Sequence, residues 1–158
     1  MVSMSQPDMN NTRLDQIIRT IGDDVQGDLG YWQFLFNDMR LLCVTDETHN
    51  RMRVMTPIAS IEEVSESTLH KCMCANFDRA LDARYCVNND MIWGAFIHPL
   101  GSLTAPLFQS ACYQVTEISR TFGTTFSSGG LSFNSDIGHE ACKCGLCVVG
   151  LLCWMNYS

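Results

Sequence analysis

Positive charge is scarce in this chain of 158 residues: ten Lys and Arg stand against seventeen Asp and Glu, a formal net charge of -7. With a sequence pI of ≈ 4.8, it lacks the basic face that nucleic acid or an anionic lipid surface requires. Long apolar runs are missing too. No stretch approaches the roughly 20 residues that span a bilayer, and the run from Gly145 to Met155 stops at about half that length. The opening segment MVSMSQPDMNNTR lacks the basic-then-apolar order of a secretory leader, so a cytoplasmic location is expected. Phosphate-loop chemistry is excluded as well. Gly27-Asp28-Leu29-Gly30 follows a helical stretch, is filled with acid and lacks the Lys-Ser/Thr ending.

Hydrophobic residues make up 46% of the chain and charged residues 17%, enough apolar material for one folded domain. Asn10-Asn11-Thr12 supplies N-cap chemistry, and Leu14, Ile17, Ile18, Ile21 and Val25 recur at helical spacing up to the glycines at 27 and 30. Alternation then predicts strands over Tyr31–Phe36, Met39–Thr45 and Arg51–Thr56, the last stopped by Pro57. A second helix follows Ser65, with Leu69, Cys72, Met73, Phe77 and Ala80 on its apolar stripe. Two more strands, Ala83–Val87 and Met91–Ile97, flank the turn sequence Asn88-Asn89-Asp90. Thr104 and Pro106 open a third helix through Leu107, Ala111, Val115, Ile118 and Phe122, which Gly123 closes.

The expected fold is therefore α+β: one antiparallel sheet of about five strands with three helices, in the order α-βββ-α-ββ-α, over residues 10–123. Residues 124–158 read as a Ser/Gly linker and a Cys-rich apolar tail. Both faces of the expected sheet carry apolar residues. Trp32, Phe34 and Phe36 share one face of their strand, and Leu35 points to the other. Three helices cover one face, and the other is then left for a partner. The partner-binding candidates are the aromatic row Trp32, Phe34 and Phe36, or the opposite set Leu35, Leu42 and Phe96. Aromatic side chains dominate binding hot spots, which favours the first set; the plain alternative makes it the floor beneath the first and third helices. An extended peptide adding to an open strand edge is a further mode.

These elements resemble the YbjN-like family of sensory-transduction-regulator domains, which shares the fold of class I type III secretion chaperones. The likeness runs through Tyr31-Trp32-Gln33-Phe34, MRLLCVTDETHNRMRVMTPIASIEEV, the helix from Ser65, the hairpin ARYCVNNDMIWGAFIHPL and Leu103-Thr104, over roughly residues 12 to 123. The resemblance implies a non-enzymatic, cytoplasmic homodimer that holds a segment of a client protein. It also implies a dimer interface on the second helix and last hairpin, for which the sequence offers Met73, Phe77, Trp93 and Ile97.

Chemistry-bearing residues do not converge. Nine cysteines without a leader read as reduced thiols. Cys43, Cys72, Cys74, Cys86 and Cys112 are expected as small buried hydrophobes. Cys72 and Cys74 lie about 200° apart on a helix, so they cannot act together. His139, Cys142, Cys144, Cys147 and Cys153 crowd the tail, but a second paired half for zinc is missing. His49, His70 and His98 are scattered, and Glu62-Glu63 and Asp23-Asp24 read as solvated faces. Arg51 and Arg53 could anchor a partner's carboxylate, although edge-strand charges that discourage aggregation are the simpler reading. No catalytic residue, metal or cofactor is expected. Two alternatives remain: a metal or redox protein built on the tail cysteines, and an adaptor weakly anchored in a membrane through Leu146–Trp154.

Overall fold

The computed structural model describes residues 8–78 and 80–123. The tail proposals, including His139, Cys142, Cys144, Cys147, Cys153 and the apolar run, lie outside the described residues. The chain opens with helix α1 (Asn11–Ile21), where the Asn10 side chain accepts the Arg13 backbone N–H at 2.9 Å. Six strands follow in two groups: β1 (Asp23–Asp28), β2 (Tyr31–Phe36), β3 (Met39–Asp46) and β4 (Arg51–Ser60), then β5 (Arg84–Asn88) and β6 (Met91–His98). Helix α2 (Glu66–Asp78) separates the groups, and helix α3 (Ala105–Arg120) ends the domain. All strands join one antiparallel sheet in the order β1-β2-β3-β4-β6-β5.

The α+β class and the three helices agree with the sequence expectation. The strand count is six rather than five, because the first helix ends at Ile21 and does not reach Val25. Gly22 is extended (φ -107, ψ 151), and a Cβ there would meet the Phe34 ring at 2.7 Å. The chain thus leaves the helix against Phe34 and returns as β1. Strand alternation is invisible in DDVQGD because β1 is an edge strand whose residues are mostly exposed. Its ladder is irregular between Asp23 and Gln26, and Gly27 takes φ 86 where a Cβ would meet the Tyr31 carbonyl oxygen.

Pro57 does not stop β4. The β3 ladder runs from Asp46 opposite Arg51 to Leu42 opposite Met55, so Pro57 is paired only on its β6 side. A bulge between Pro57 and Ala59 accommodates the missing N–H, and the strand continues to Ser60. Two of the three two-residue hairpin loops have positive φ at both central residues, Asn37 and Asp38 in one and Asn89 and Asp90 in the other, whereas Leu29-Gly30 is positive only at Gly30. Positive φ at both is the type I′ pattern that suits the twist of paired strands, and Asn and Asp tolerate it.

Helices α1 and α3 lie over one face of the sheet. Leu14 and Ile18 of α1 and Phe108, Ala111, Cys112, Val115 and Ile118 of α3 are buried there with Trp32, Phe34, Cys43, Met52 and Val54. The Phe34 and Phe108 rings lie 6.5 Å apart, and Phe36 meets Tyr113 edge-on at 4.8 Å. The Trp32 indole N–H donates to Asp15 at 2.8 Å, which joins the strand to α1. Arg19 also donates to Asp15, and together these bonds hold its carboxyl below the ordinary value of 3.8. Helix α2 stands at the β5 edge. There the Asn76 amide accepts the Tyr85 N–H at 2.8 Å and donates to the Tyr85 carbonyl at 2.9 Å. One edge of the sheet is thereby occupied.

Candidate functional site

The register decides which apolar residues a partner can reach. Trp32 and Phe34 are fully buried, and Phe36 is 4% exposed; they form the floor beneath α1 and α3. Phe96 lies with them and not with Leu35 and Leu42. It pairs with Val54, Val54 pairs with Cys43, and Cys43 pairs with Trp32, so all four share the helix-covered face. Four of the six partner-binding candidates are therefore inside the domain's own core. Leu35 and Leu42 are half-buried and stand on the opposite face, which no helix among the described residues covers.

That open face is wide. Alongside Leu35 and Leu42 it carries Val44, Met55 and Trp93, all half-buried, and Ile97, which is 53% exposed. An antiparallel sheet with one wet face ordinarily turns polar residues to that side. Here the wet side remains apolar across four of its six strands.

The four dimer candidates fall on two surfaces. Trp93 and Ile97 belong to the open sheet face, whereas Met73 and Phe77 project from α2 beyond the β5 edge. Phe77 is 84% exposed and Met73 66%, with Leu81 beside them in sequence at 60%. The opposite side of α2 holds Cys72 and Ala75 in the core. Burial thus leaves α2 two-sided: one stripe anchors it and a second apolar stripe stands in solvent.

Arg51 and Arg53 are not edge residues. The crossover from β4 past α2 brings β6 against β4, so both arginines stand on an inner strand of the sheet. They share the open face with Val44, which is opposite Arg53. This placement was beyond sequence reasoning, because strand order is set by a non-local pairing that no local pattern records.

The thiols offer little chemistry. Cys43, Cys72 and Cys112 are buried as expected, but Cys74 is half-buried and Cys86 exposed. Burial pushes the Cys72 thiol up to about 11 and raises Cys43 and Cys112 as well, which disfavours thiolates at neutral pH. Cys72 and Cys74 point apart, and Cys74 lies 3.7 Å from the His70 ring one turn earlier. His49 pairs with Asp46 at 2.7 Å, and His98 contacts the Pro99 carbonyl. Among the described residues, no three His, Cys, Asp or Glu side chains gather in a way that could hold a metal ion. Among them too, no helix is long and apolar enough to cross a membrane.

By sequence, no family model matches this chain, and no curated protein does. Its shape is similar to chains of two solved complexes, one of them a chaperone–effector complex. A chain of the HopA1–SchA chaperone–effector complex matches with a TM-score of 0.55 at 14% identity, over 70% of this chain and 90% of that one. A chain of the ExsC–ExsE complex matches with a TM-score of 0.53 at 13% identity, over 68% and 90% respectively. The fold is thus that of the type III secretion chaperones: three helices and one antiparallel sheet, here of six strands.

Proposed function

We propose that this protein is a non-enzymatic, chaperone-like binding module that holds a segment of a client protein and acts as a cytoplasmic homodimer of the YbjN-like kind. The observation that carries the reading is the apolar sheet face that no helix among the described residues covers. Leu35, Leu42, Val44, Met55, Trp93 and Ile97 stand on it while α1 and α3 fill the other side. The fold neighbours, one of them a chaperone–effector complex, support the same reading. The two sheet edges favour a face over an edge as the binding surface. Asn76 occupies the β5 edge, and β1 is irregular and carries Asp23, Asp24 and Asp28.

Panning a random 20-residue peptide library on the immobilised full chain tests this. Apolar sequences are expected to be enriched, and a Leu35→Gln, Leu42→Gln double variant with an unchanged circular dichroism spectrum is expected to lose them. No enrichment, or equal retention by that variant, would overturn the proposal.

We assign the homodimer contact to the exposed stripe of α2, a reading supported by Met73 and Phe77 standing in solvent without a part in the core. Phe77→Asp should leave the monomer folded, because the side chain it replaces is already in solvent, and should introduce an unpaired charge where two copies meet. Light scattering after size exclusion is expected to report twice the chain mass for the parent and a shift towards the single-chain mass for the variant. A parent of single-chain mass, or a variant as associated as the parent, would sink this interface.

A further inference from the structure

The two arginines on the inner strand set what the open face accepts. Arg51 and Arg53 are one strand repeat apart, so their stems rise about 7 Å from each other on the same side of the sheet. Both are exposed, and neither side chain makes an ion pair or hydrogen bond among the described residues. Their nearest acid by register, Asp46 opposite Arg51, is turned back into its own loop. It accepts the His49 backbone N–H at 3.0 Å and contacts the His49 ring at 2.7 Å. The other arginines of that face are engaged: Arg40 pairs with Asp24 at 2.6 Å, and Arg84 donates to the carbonyls of Leu81 and Ala83.

The surroundings of the pair form a shallow concavity of ≈ 820 Å³, lined by Leu29, Val44, Arg51 and Arg53 and also by Asp46, Glu47 and His49, with Glu47 engaged by the Asn11 backbone N–H at 2.9 Å. Apolar neighbours flank Arg53 on both sides, Val44 on β3 and Ile97 on β6, with Met55 next along its own strand. An unpaired guanidinium pair among apolar side chains is complementary to a carboxylate carried between apolar residues, since the guanidinium fork matches carboxylate geometry.

We propose that the open face selects a client segment in which an acidic side chain lies between apolar ones, the carboxylate seated between Arg51 and Arg53. This deepens the protein-binding reading and rests on it. The chain's overall charge of -7 repels an acidic segment at a distance. Selection therefore comes from contact with these two guanidiniums and from nothing longer-ranged.

Fluorescence anisotropy with the full chain tests the proposal. The probes are labelled octapeptides that alternate valine and leucine with glutamate, with glutamine or with lysine. The glutamate peptide is expected to bind at least tenfold tighter than the glutamine peptide. That preference should vanish in the Arg51→Gln, Arg53→Gln double variant and persist in Arg84→Gln, which removes one positive charge from the same face. Equal binding of the glutamate and glutamine peptides would overturn acid selection, while peptides enriched by panning would leave the client-binding role standing. Failure of every peptide, panned or designed, would overturn both. If instead the double variant lost self-association and no glutamate preference existed, the face would belong to a second copy of this chain, which also overturns the proposal.

Discussion

Phe34→Ala is expected to lower the unfolding free energy by about 3–5 kcal/mol, a large share of the roughly 5–15 kcal/mol that holds a domain together. The ring is fully buried on β2, with the Phe108 ring 6.5 Å away on α3 and Gly22 against its edge. A sheet on one side and two helices on the other leave little freedom for the site to collapse, so the cavity persists. Its neighbour Leu35, one residue on but facing the open side, is the control. Leu35→Ala removes a half-buried side chain from a surface, and its expected cost is about 1 kcal/mol. Urea unfolding followed by circular dichroism measures both. Equal costs would mean that the second face is enclosed after all, and the binding surface would lose its physical basis.

The contrast between those two residues shows what the sequence reveals and what it conceals. Alternation within Tyr31–Phe36 separates Trp32, Phe34 and Phe36 from Leu35 without any structure. The caps at Asn10 and Thr104 and the turn at Asn89-Asp90 are equally local, and the structure repeats them. Relations between strands are not local. Phe96 alternates correctly against Ile97, yet only the Val54–Phe96 pairing puts it on the same side as Trp32. Arg51 and Arg53 look like edge charges until the β4–β6 pairing makes their strand an inner one. An edge strand such as β1 has neither a buried stripe nor an alternating one, so nothing in DDVQGD betrays it. The misplaced residues share one cause: register and strand order are chosen by the whole sheet.

The second large effect is expected at the joint between α3 and the start of β5. Gln114 is 8% exposed, and its Oε1 accepts the backbone N–H groups of Asp82 at 2.8 Å and Ala83 at 3.1 Å. Its amide nitrogen is also bound, donating to Ser110 Oγ at 3.2 Å. Leucine fills nearly the same volume but accepts nothing, so Gln114→Leu strands the buried Ala83 N–H and weakens the tie to Asp82. A buried donor left without a partner costs about 1–3 kcal/mol, and the pair should bring the loss to about 2–3 kcal/mol. Gln114→Glu keeps an acceptor for both N–H groups, and the Ser110 hydroxyl can donate to it in turn, so at least half the loss should be recovered. The effect should also be local. The residues that Gln114 holds lead directly into Tyr85, whose backbone is tied to Asn76 on α2, the helix that carries Met73 and Phe77. Native-state hydrogen exchange is therefore expected to speed up at Ala83 and Tyr85 in the leucine variant before it changes in β2 or β3. Exchange at Ala83 as slow as in the parent would show that water takes the place of the amide, and the stability loss would then have to come from packing.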